Sequence, residues 1–428
     1  MASTSKGTLR TIDRLLKNGD VDALGNMLKQ VMPEERTLPP ETPEPRKWTN
    51  EAWLERLLFL QGQTGAELPF LTGSEVFKNA EDLRGNIENY IGMTQVPTGV
   101  IGPLRINGTE AHGDFYVPMS TTEGALVASY HRGARVVSLS GGVSAVCLTE
   151  SVQRAPSFEF ENLGELGKFL IWLMPNIPQL QEVVTTKTAY GKLEDIRPNM
   201  NGNQISLIME FTTGDAAGQN MVTLASEAVC RYIVENSPVK PLHWYVEGNL
   251  SGDKKATAQS FVYVRGKKVT AEAVLKREVV QSVLGTTPEK MMNYWHVSIL
   301  NGVQSGSIGV NGHFANGLAA IFLACGQDVA CVSEAAVGTT RFDIKPNGDL
   351  YVAVTLPNLI VGTVGGATHL PTQRECLSLM DCAGAGKARK FAEIVAAAIL
   401  CGEISIVAAI SAGDFARAHA LFGRKRKH

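Results

Sequence analysis

The chain lacks any cysteine pattern that would indicate a disulfide framework or a zinc site. Its 428 residues include seven cysteines, an odd number, and no two of them are spaced as Cys-x-x-Cys. Disulfide-stapled domains and structural zinc sites depend on such pairs. We therefore expect free thiols, no metal site and a reducing compartment.

An excess of charge of either sign is also missing. The sequence has 40 basic and 42 acidic residues, a formal net charge of −2. This balance gives no reason to expect a nucleic acid or a membrane surface as partner. The basic cluster at 424–427 lies at the extreme C-terminus, where a frayed, solvated tail is the usual outcome.

Long apolar segments are the third absence. Residues 1–8 carry no apolar core of a signal peptide. No uncharged apolar run approaches the roughly 20 residues that a membrane-spanning helix needs. We expect a soluble, cytoplasmic protein.

The first part of the chain is helical in pattern. Apolar residues at helical spacing predict helices within 8–31 and 48–62. Between them, the proline-rich segment 39–45 can form neither a helix nor a central strand. We predict that residues 1–87 form an N-terminal helical subdomain with a proline-rich strap.

Residues 157–246 have the pattern of an inserted small α+β domain. A helix is predicted over 163–174, a strand over 205–211 and a second helix over 219–235. The large domain then comprises 88–156 and 247–428. Its last segment, from 386 to about 422, predicts one or two helices that Gly413 separates.

A further helix is predicted over 122–137, beginning near 120–122. Its small residues allow neighbouring elements to approach closely, which implies deep burial. Glu123 would lie in the first turn, where a solvated capping carboxylate is the usual role. If it were buried, its pKa would rise and it could deliver a proton.

Two glycine-containing turns could approach a ligand. The strand, turn and helix at 205–235 could present backbone N–H groups to a diphosphate. The spacing G-x-G-x-x-G is missing, so an ordinary turn is the simpler interpretation. The turn at 362–368 could approach a flat ring, but a structural turn explains it equally well.

Three more positions could carry chemistry. In the run 247–255, Lys254 follows an aspartate and precedes a segment, 256–264, with the pattern of a strand. Such a lysine could hold an oxyanion, although a solvated turn is the simpler interpretation. Asp328 is an acid among small, apolar residues, and a buried acid needs a partner. His419 would be a surface histidine by default, unless the C-terminal segment forms a lid.

Together these segments resemble 3-hydroxy-3-methylglutaryl-coenzyme A (HMG-CoA) reductase, of the class I type that includes the catalytic portion of the eukaryotic enzymes. The resemblance runs from about residue 80 to 422. It rests on motifs in family order: ENYIG at 88–92, PTGVIGPL at 97–104, VPMSTTEGALVAS at 117–129, RGAR at 132–135, GDAAGQNM at 214–221, GN at 248–249, DKK at 253–255, HFAN at 313–316, ACGQD at 324–328 and GTVGGAT at 362–368.

The resemblance implies a reduction of the thioester to mevalonate by two hydride transfers from NADPH (or NADH), with release of coenzyme A. Lys254 would stabilise the oxyanion, and Glu123 would stay protonated and act as general acid. Asp328 would bridge these two residues. His419 would protonate the departing thiolate.

The resemblance also implies binding residues. Arg154 and Lys255 would grip the free carboxylate of the substrate, Asp253 would face its tertiary hydroxyl, and Asn316 would orient groups around Lys254. Other positions would contact coenzyme A (Ser129 and His313) and the nucleotide (Thr188, Asp215, Ala216, Ala217, Gly218, Gln219, Asn220, Gly365 and Gly366).

Three departures from the family pattern bear on function. Glu247 stands beside the substrate carboxylate where the family usually has serine, so Glu247→Ser is predicted to tighten HMG-CoA binding unless the carboxylate is turned away. Ala189 stands where many relatives place an arginine for the 2′-phosphate of NADPH, and Lys187 or Lys192 could substitute for it. The tail after His419 lacks the serine of regulated animal relatives.

The fold that the resemblance implies is α/β (α+β): a large domain around a long central helix, with an inserted ferredoxin-like domain and the N-terminal helical part. A homodimer or tetramer with sites at the subunit interface is expected. Two alternatives stay open. One is a paralogue that acts on a different acyl-CoA, which Glu247 favours, and the other is a non-catalytic relative.

Overall fold

The computed structural model of the protein describes residues 5–17 and 19–414; His419 and the basic cluster at 424–427 lie outside the described residues. Within them a ten-stranded sheet runs in the order β7-β4-β6-β3-β8-β10-β9, with β1 beside β2 and β3, and β5 beside β6. The strands are β1 Thr98–Gly108, β2 His112–Ser120, β3 Val143–Arg154, β4 Ser157–Glu159, β5 Lys192–Asn201, β6 Gln204–Thr212, β7 His243–Tyr245, β8 Gly266–Leu275, β9 Thr339–Ile344 and β10 Leu350–Leu359.

The helices surround this sheet. They are α1 Ser5–Leu15, α2 Val21–Leu28, α3 Asn50–Thr64, α4 Pro69–Thr72, α5 Leu126–Leu139, α6 Leu163–Leu173, α7 Ile177–Thr185, α8 Gln219–Asn236, α9 Arg277–Val279, α10 Pro288–Gln304, α11 Phe314–Ala324, α12 Val332–Ala335, α13 Pro371–Leu379 and α14 Ala388–Ser411. The helices predicted over 163–174 and 219–235 and the strand over 205–211 are confirmed.

The long helix α14 forms the centre of the large domain. It is long and apolar enough to cross a membrane, but 83% of its most apolar 18-residue window is buried inside the protein. Glycine allows α5 to approach it, since a Cβ on Gly133 would lie 2.0 Å from the carbonyl oxygen of Cys401. The helix is therefore a core element, as the fold prediction required. It ends at Ser411, just before Gly413 with φ +75°.

A buried carboxylate anchors the first half of α14. Oε1 of Glu393 accepts hydrogen bonds from the Thr109 hydroxyl at 2.5 Å and the Cys147 amide at 3.0 Å. Oε2 accepts from the amides of Glu110 and Ala111 at 2.9 and 2.8 Å. Burial raises the pKa of Glu393, although these hydrogen bonds oppose the shift. The carboxylate thus fastens the helix to the turn between β1 and β2.

The inserted part has the order β4-α6-α7-β5-β6-α8-β7, and its strands lie as β7-β4-β6-β5 with antiparallel neighbours. This is the ferredoxin-like arrangement that was predicted. It has an apolar core of its own, separate from the core around α14. Strand β3 joins the two parts, because it pairs with β8 along most of its length and with β6 at 152–154.

The N-terminal part is helical, as predicted, and it packs on the large domain. The buried Arg105 donates to the carbonyls of Val31 and Arg36 at 3.1 and 2.6 Å. The carboxylate of Glu375 accepts from the amides of Phe70 and Leu71, both at 2.8 Å. These contacts hold the segment between α2 and the strap against β1, and α4 against α13.

The strand predicted over 256–264 is wrong. Residues Ala258–Phe261 form a short 3-10 helix, and the strand begins only at Gly266. Ser260 lies inside the protein and accepts a hydrogen bond from Asn358 at 2.7 Å, while Val262 is exposed. A buried polar contact has overridden the apolar, β-branched pattern.

The predicted start of the helix at 120–122 is also wrong, because α5 begins at Leu126. Ala125 has φ +70°, which a right-handed helix cannot contain. The hydroxyl of Thr121 accepts from the amide of Glu123 at 3.0 Å and closes a local turn instead. Glu123 therefore lies in the loop before the helix, where it is exposed.

Candidate active site

The loop 247–255 presents Lys254 in an unusual backbone conformation. Asn249, Gly252 and Lys254 have φ values of +66°, +73° and +55°. A left-handed conformation costs a side-chain-bearing residue roughly 1–2 kcal/mol, and such strain is concentrated at functional sites. The side chain of Lys254 ends in an ion pair, with Nζ 2.8 Å from Oδ2 of Asp328. This hydrogen bond holds the pKa of Lys254 above its ordinary value.

Asp253 lies between two arginines. Nη1 of Arg154 is 2.7 Å from its Oδ2, and Nη2 of Arg265 donates to its Oδ1. Burial alone would raise the pKa of Asp253, but the two guanidinium groups outweigh it and the pKa lies below its ordinary value. Arg154 also donates to the Thr223 hydroxyl at 2.9 Å. The predicted substrate residues Arg154 and Asp253 are thus in direct contact.

Sequence reasoning missed Arg265 and Glu334. Both are buried, and Nε of Arg265 is 2.7 Å from Oε2 of Glu334. Burial raises the pKa of Glu334, and Arg265 opposes that shift. The only sequence signal was a charged residue inside an apolar stretch, and such residues are usually exposed.

Glu247 is engaged by its own loop. Oε1 accepts from the Asn249 amide at 2.7 Å, and Oε2 accepts from the Ser251 hydroxyl at 2.9 Å. Oε2 also lies 3.8 Å from Nη1 of Arg154. The carboxylate therefore serves as an acceptor for the loop that carries Lys254.

The remaining catalytic candidates lie in two groups. Nδ2 of Asn316, in the first turn of α11, lies 3.0 and 3.2 Å from the two carboxylate oxygens of Glu123. Asp328 is bonded to Lys254 and, through Oδ1, to the Ala330 amide at 3.0 Å. The structure thus contains one of the two contacts predicted for Asp328, the one with Lys254. It places the side-chain amide of Asn316 beside the carboxylate of Glu123.

The exposed Lys255 donates to the carbonyl oxygen of Asp253 at 2.9 Å. The fourth predicted catalytic residue, His419, lies outside the described residues.

The two predicted coenzyme A residues meet the same stretch of α14. The hydroxyl of Ser129 is 2.9 Å from that of Ser405. Nδ1 of His313 is 3.2 Å from Oε1 of the buried Glu403, which also accepts the His313 amide at 2.8 Å. The Thr340 hydroxyl donates to the other oxygen of Glu403 at 2.7 Å. The central helix therefore fixes the orientation of both predicted contacts.

The two glycine turns lie side by side. Ala216 and Val364 form a parallel bridge, and the Thr363 amide donates to the carbonyl oxygen of Asp215 at 2.8 Å. Close approach requires glycine here, because a Cβ on Gly362 would lie 2.5 Å from the Ala217 amide nitrogen. The sequence offered these turns as separate candidates, and the fold joins them.

The carboxylate of Asp215 is directed at α14. Oδ2 accepts from the Gly386 amide at 2.7 Å and Oδ1 from the Ala388 amide at 3.1 Å. Amides at the start of a helix lack partners within the helix and favour an anion. Asp215 therefore caps the central helix from the inserted domain.

The surroundings of the two turns fit a dinucleotide. Gly218, with φ +77°, precedes the 18-residue helix α8, whose first turn contains Gln219 and the exposed Asn220. Free backbone N–H groups at such an N-terminus suit a diphosphate. Gly365 and Gly366 have φ +72° and +57°, and nothing lies within 4 Å of a Cβ built on either. Their backbone therefore borders open space that a flat ring could enter.

Thr188 shapes the neighbouring turn, since its hydroxyl accepts from the amides of Tyr190 and Gly191 at 3.2 and 3.0 Å. Ala189, Lys187 and Lys192 are exposed around it. The turn therefore offers two cations to the solvent near the place where the resemblance puts a phosphate.

Comparison with known proteins identifies the class. Residues 52–424 match the family described as hydroxymethylglutaryl-coenzyme A reductase. The reductase of Aeropyrum pernix is 47% identical over 383 residues, 88% of this chain and 90% of the relative. That of Pyrococcus abyssi is 48% identical over 347 residues, 79% and 85% of the two chains. This chain belongs to the HMG-CoA reductase family.

A solved structure supports the fold. The class II HMG-CoA reductase of Streptococcus pneumoniae, bound to NADPH in open conformations, superposes with a TM-score of 0.65 at 18% identity. The match covers 84% of this chain and 97% of that one. At this identity the likeness carries the fold and no residue roles.

Proposed function

We propose that this chain is an NADPH-dependent HMG-CoA reductase that converts (S)-HMG-CoA to mevalonate and releases coenzyme A, a step of isoprenoid synthesis. Family membership supports the reaction. The observation that carries the assignment to named residues is the ion pair between Lys254 and Asp328, next to the contact between Arg154 and Asp253. The cation proposed to stabilise the oxyanion, Lys254, is therefore adjacent in the chain to Asp253, the partner of the cation proposed to bind the carboxylate, Arg154.

In this proposal the loop provides charge where the reaction develops it. Lys254 donates a hydrogen bond to the carbonyl oxygen of the thioester, on which negative charge accumulates during hydride transfer. Asp328 keeps that lysine protonated and oriented. Arg154 and Lys255 bind the free carboxylate of the substrate, and Asp253 accepts from its tertiary hydroxyl.

Glu123 and His419 would carry out the proton transfers. Glu123, held through both oxygens by Asn316, acts as general acid in the reduction of the aldehyde. His419 protonates the thiolate of coenzyme A, a task that suits an imidazole near neutral pH. Ser129 and His313 contact coenzyme A.

The paired turns would hold the nucleotide, which supplies hydride when bound. Ala216, Ala217, Gly218, Gln219 and Asn220 would face the diphosphate at the start of α8. Gly365 and Gly366 would face the nicotinamide ring, and Thr188 would lie near the ribose. Asp215 would hold the turn in place through its contact with α14.

Several finer properties belong to the proposal. The chain is of the class I type, as its motifs resemble the catalytic portion of the eukaryotic enzymes. It works in the cytoplasm as a soluble homodimer or tetramer with sites at the subunit interface. Its domains are 1–87, 157–246, and 88–156 with 247–428, which the two separate apolar cores support.

Counting the products tests the reaction. Purified protein with HMG-CoA and NADPH should oxidise two nicotinamides per coenzyme A released. If another acyl-CoA is turned over but HMG-CoA is not, the proposed substrate is contradicted. If no acyl-CoA is turned over, a non-catalytic relative is favoured.

A second candidate, a reductase for a different acyl-CoA, rests on Glu247. Its carboxylate lies 3.8 Å from Arg154, so it competes for the cation that would bind the free carboxylate of HMG-CoA. Turnover of an acyl-CoA without that carboxylate, at a higher kcat/KM than HMG-CoA, would favour this candidate.

A further inference from the structure

Lys254 is held at two points by one short segment. Its side chain binds Asp328, which lies directly before a 3-10 turn, with an Nζ to Oδ2 distance of 2.8 Å. Its backbone N–H donates to Oε1 of Glu334, on α12, at 3.2 Å. The two carboxylates belong to the same turn and helix, 328–335. A shift of this segment would therefore displace both ends of the lysine.

Glu334 also begins a chain of alternating charges. Its other oxygen binds the buried Arg265 at 2.7 Å, and Arg265 binds Asp253. Asp253 in turn binds Arg154 at 2.7 Å. One end of this chain meets the backbone of Lys254, and the other end is Arg154, itself buried, the arginine proposed to bind the substrate carboxylate.

A buried ion pair is a poor way to gain stability. Removing two charges from water costs free energy that their attraction does not reliably return, and apolar replacements are often as stable. Glu334 and Arg265 have side chains that are 0% and 2% exposed. A specific geometry is a better reason for such a pair, and the geometry at its end is the left-handed backbone of Lys254.

We propose that Glu334, supported by Arg265, is a positioning residue that sets the distance between the Lys254 ammonium and the Arg154 guanidinium. The inference rests on the proposed function, because it treats these two cations as the groups that bind the thioester oxygen and the free carboxylate. Glu334 does not touch substrate. It fixes the Lys254 backbone, while Arg265 fixes Asp253 and through it Arg154.

The first experiment compares Glu334→Gln with the wild type. The amide has the same shape but cannot satisfy both the guanidinium and the Lys254 N–H. We expect kcat with HMG-CoA to fall by about 10²-fold, the scale of a misplacement of about 1 Å, with KM for NADPH within about twofold of the wild type. Hydrogen exchange of the peptide spanning 250–257 should accelerate, a readout that needs no activity.

The matched control is Asp114→Asn. Asp114 pairs with the buried Arg105 at 2.9 Å, far along the chain from this loop. The Asp114→Asn substitution should lower thermal stability without changing kcat or the hydrogen exchange of the peptide 250–257. This separates general loss of a buried ion pair from loss of position at Lys254.

A double variant keeps the test decisive if Glu334→Gln folds poorly. Arg265→Met with Glu334→Leu removes both charges at similar volume, and we expect a folded protein with the same loss of kcat and the same faster exchange. If these variants fold and their kcat and hydrogen exchange equal those of the wild type, the inference is overturned. If the wild type itself shows no turnover, the proposed function is overturned. Hydrogen exchange at 250–257 would then be the one measurement that tests whether Glu334 positions Lys254.

Discussion

The hydroxyl of Ser251 donates a hydrogen bond to Oε2 of Glu247 at 2.9 Å. The residue that departs from the family pattern is therefore part of the loop that carries Lys254. Its second oxygen accepts the amide of Asn249, which has φ +66°. The carboxylate that the sequence predicts to repel the substrate carboxylate therefore also supports a strained loop.

Glu247→Ser is consequently expected not to lower KM for HMG-CoA. The shorter side chain loses the bonds to Asn249 and Ser251. We expect kcat to fall by about threefold to tenfold, which corresponds to a net loss of about 1 kcal/mol in loop hydrogen bonding. Steady-state kinetics measure both constants, and Glu247→Gln, which keeps one acceptor, should lie between. A lower KM at unchanged kcat would show instead that the carboxylate faces the substrate.

Asp328→Asn should impair catalysis most at alkaline pH. The hydrogen bond to Asp328 raises the pKa of Lys254, so the lysine stays protonated, and the pair keeps its contribution to stability, until the pH rises through that raised value. Without the carboxylate the pKa falls back. We expect kcat to drop by about 10²-fold and the alkaline limb of the kcat profile to move to lower pH. An unmoved limb would indicate that a group other than Lys254 sets it.

Ala189→Arg should increase the preference for NADPH. Ala189 is exposed in the turn that Thr188 closes, and an arginine there could bind a phosphate through two parallel hydrogen bonds. We expect the ratio of kcat/KM for NADPH over NADH to rise by about tenfold, or about 1.4 kcal/mol.

Lys187→Ala and Lys192→Ala are the matched controls for that ratio. If either lysine already binds the 2′-phosphate, its removal should lower kcat/KM for NADPH and leave NADH unaffected. Equal effects on both nucleotides, for all three variants, would place the phosphate elsewhere.

Asp215→Ala separates two roles for a predicted cofactor residue. Because Asp215 caps α14, the free energy of unfolding should fall by about 1–2 kcal/mol, and Asp215→Asn should cost less. Denaturant unfolding and KM for NADPH are measured together. A large rise in KM with unchanged stability would assign the carboxylate to the nucleotide instead.

Patterns with a strong local cause were predictable from sequence. Helix α8 and strand β6 were found because their apolar periodicity agrees with their burial. Two local predictions failed. A distant partner, Asn358, turns 258–261 away from strand geometry, and a local turn with φ +70° at Ala125 delays the start of α5.

The same division holds for the site. Motif order supplied Glu123, Arg154, Asp253, Lys254 and Asp328 as candidates. The fold brings four of them together, because Arg154 at the end of β3 contacts Asp253, and Asp328 contacts the adjacent Lys254. Arg265 and Glu334 had only a weak sequence signal, because a charged residue inside an apolar segment shows its burial only when its partner, 69 positions away, is known.

The sequence by itself determined the family, the presence of a long apolar C-terminal helix and the residue types available for chemistry, since these follow from motifs and from composition over short windows. Only the tertiary structure decided what each carboxylate does. Glu247, Asp215 and Glu334 are all acids in or near predicted sites, yet their roles depend on which amides and guanidinium groups lie within hydrogen-bonding distance. Those distances are fixed by packing across the chain, which no local pattern records.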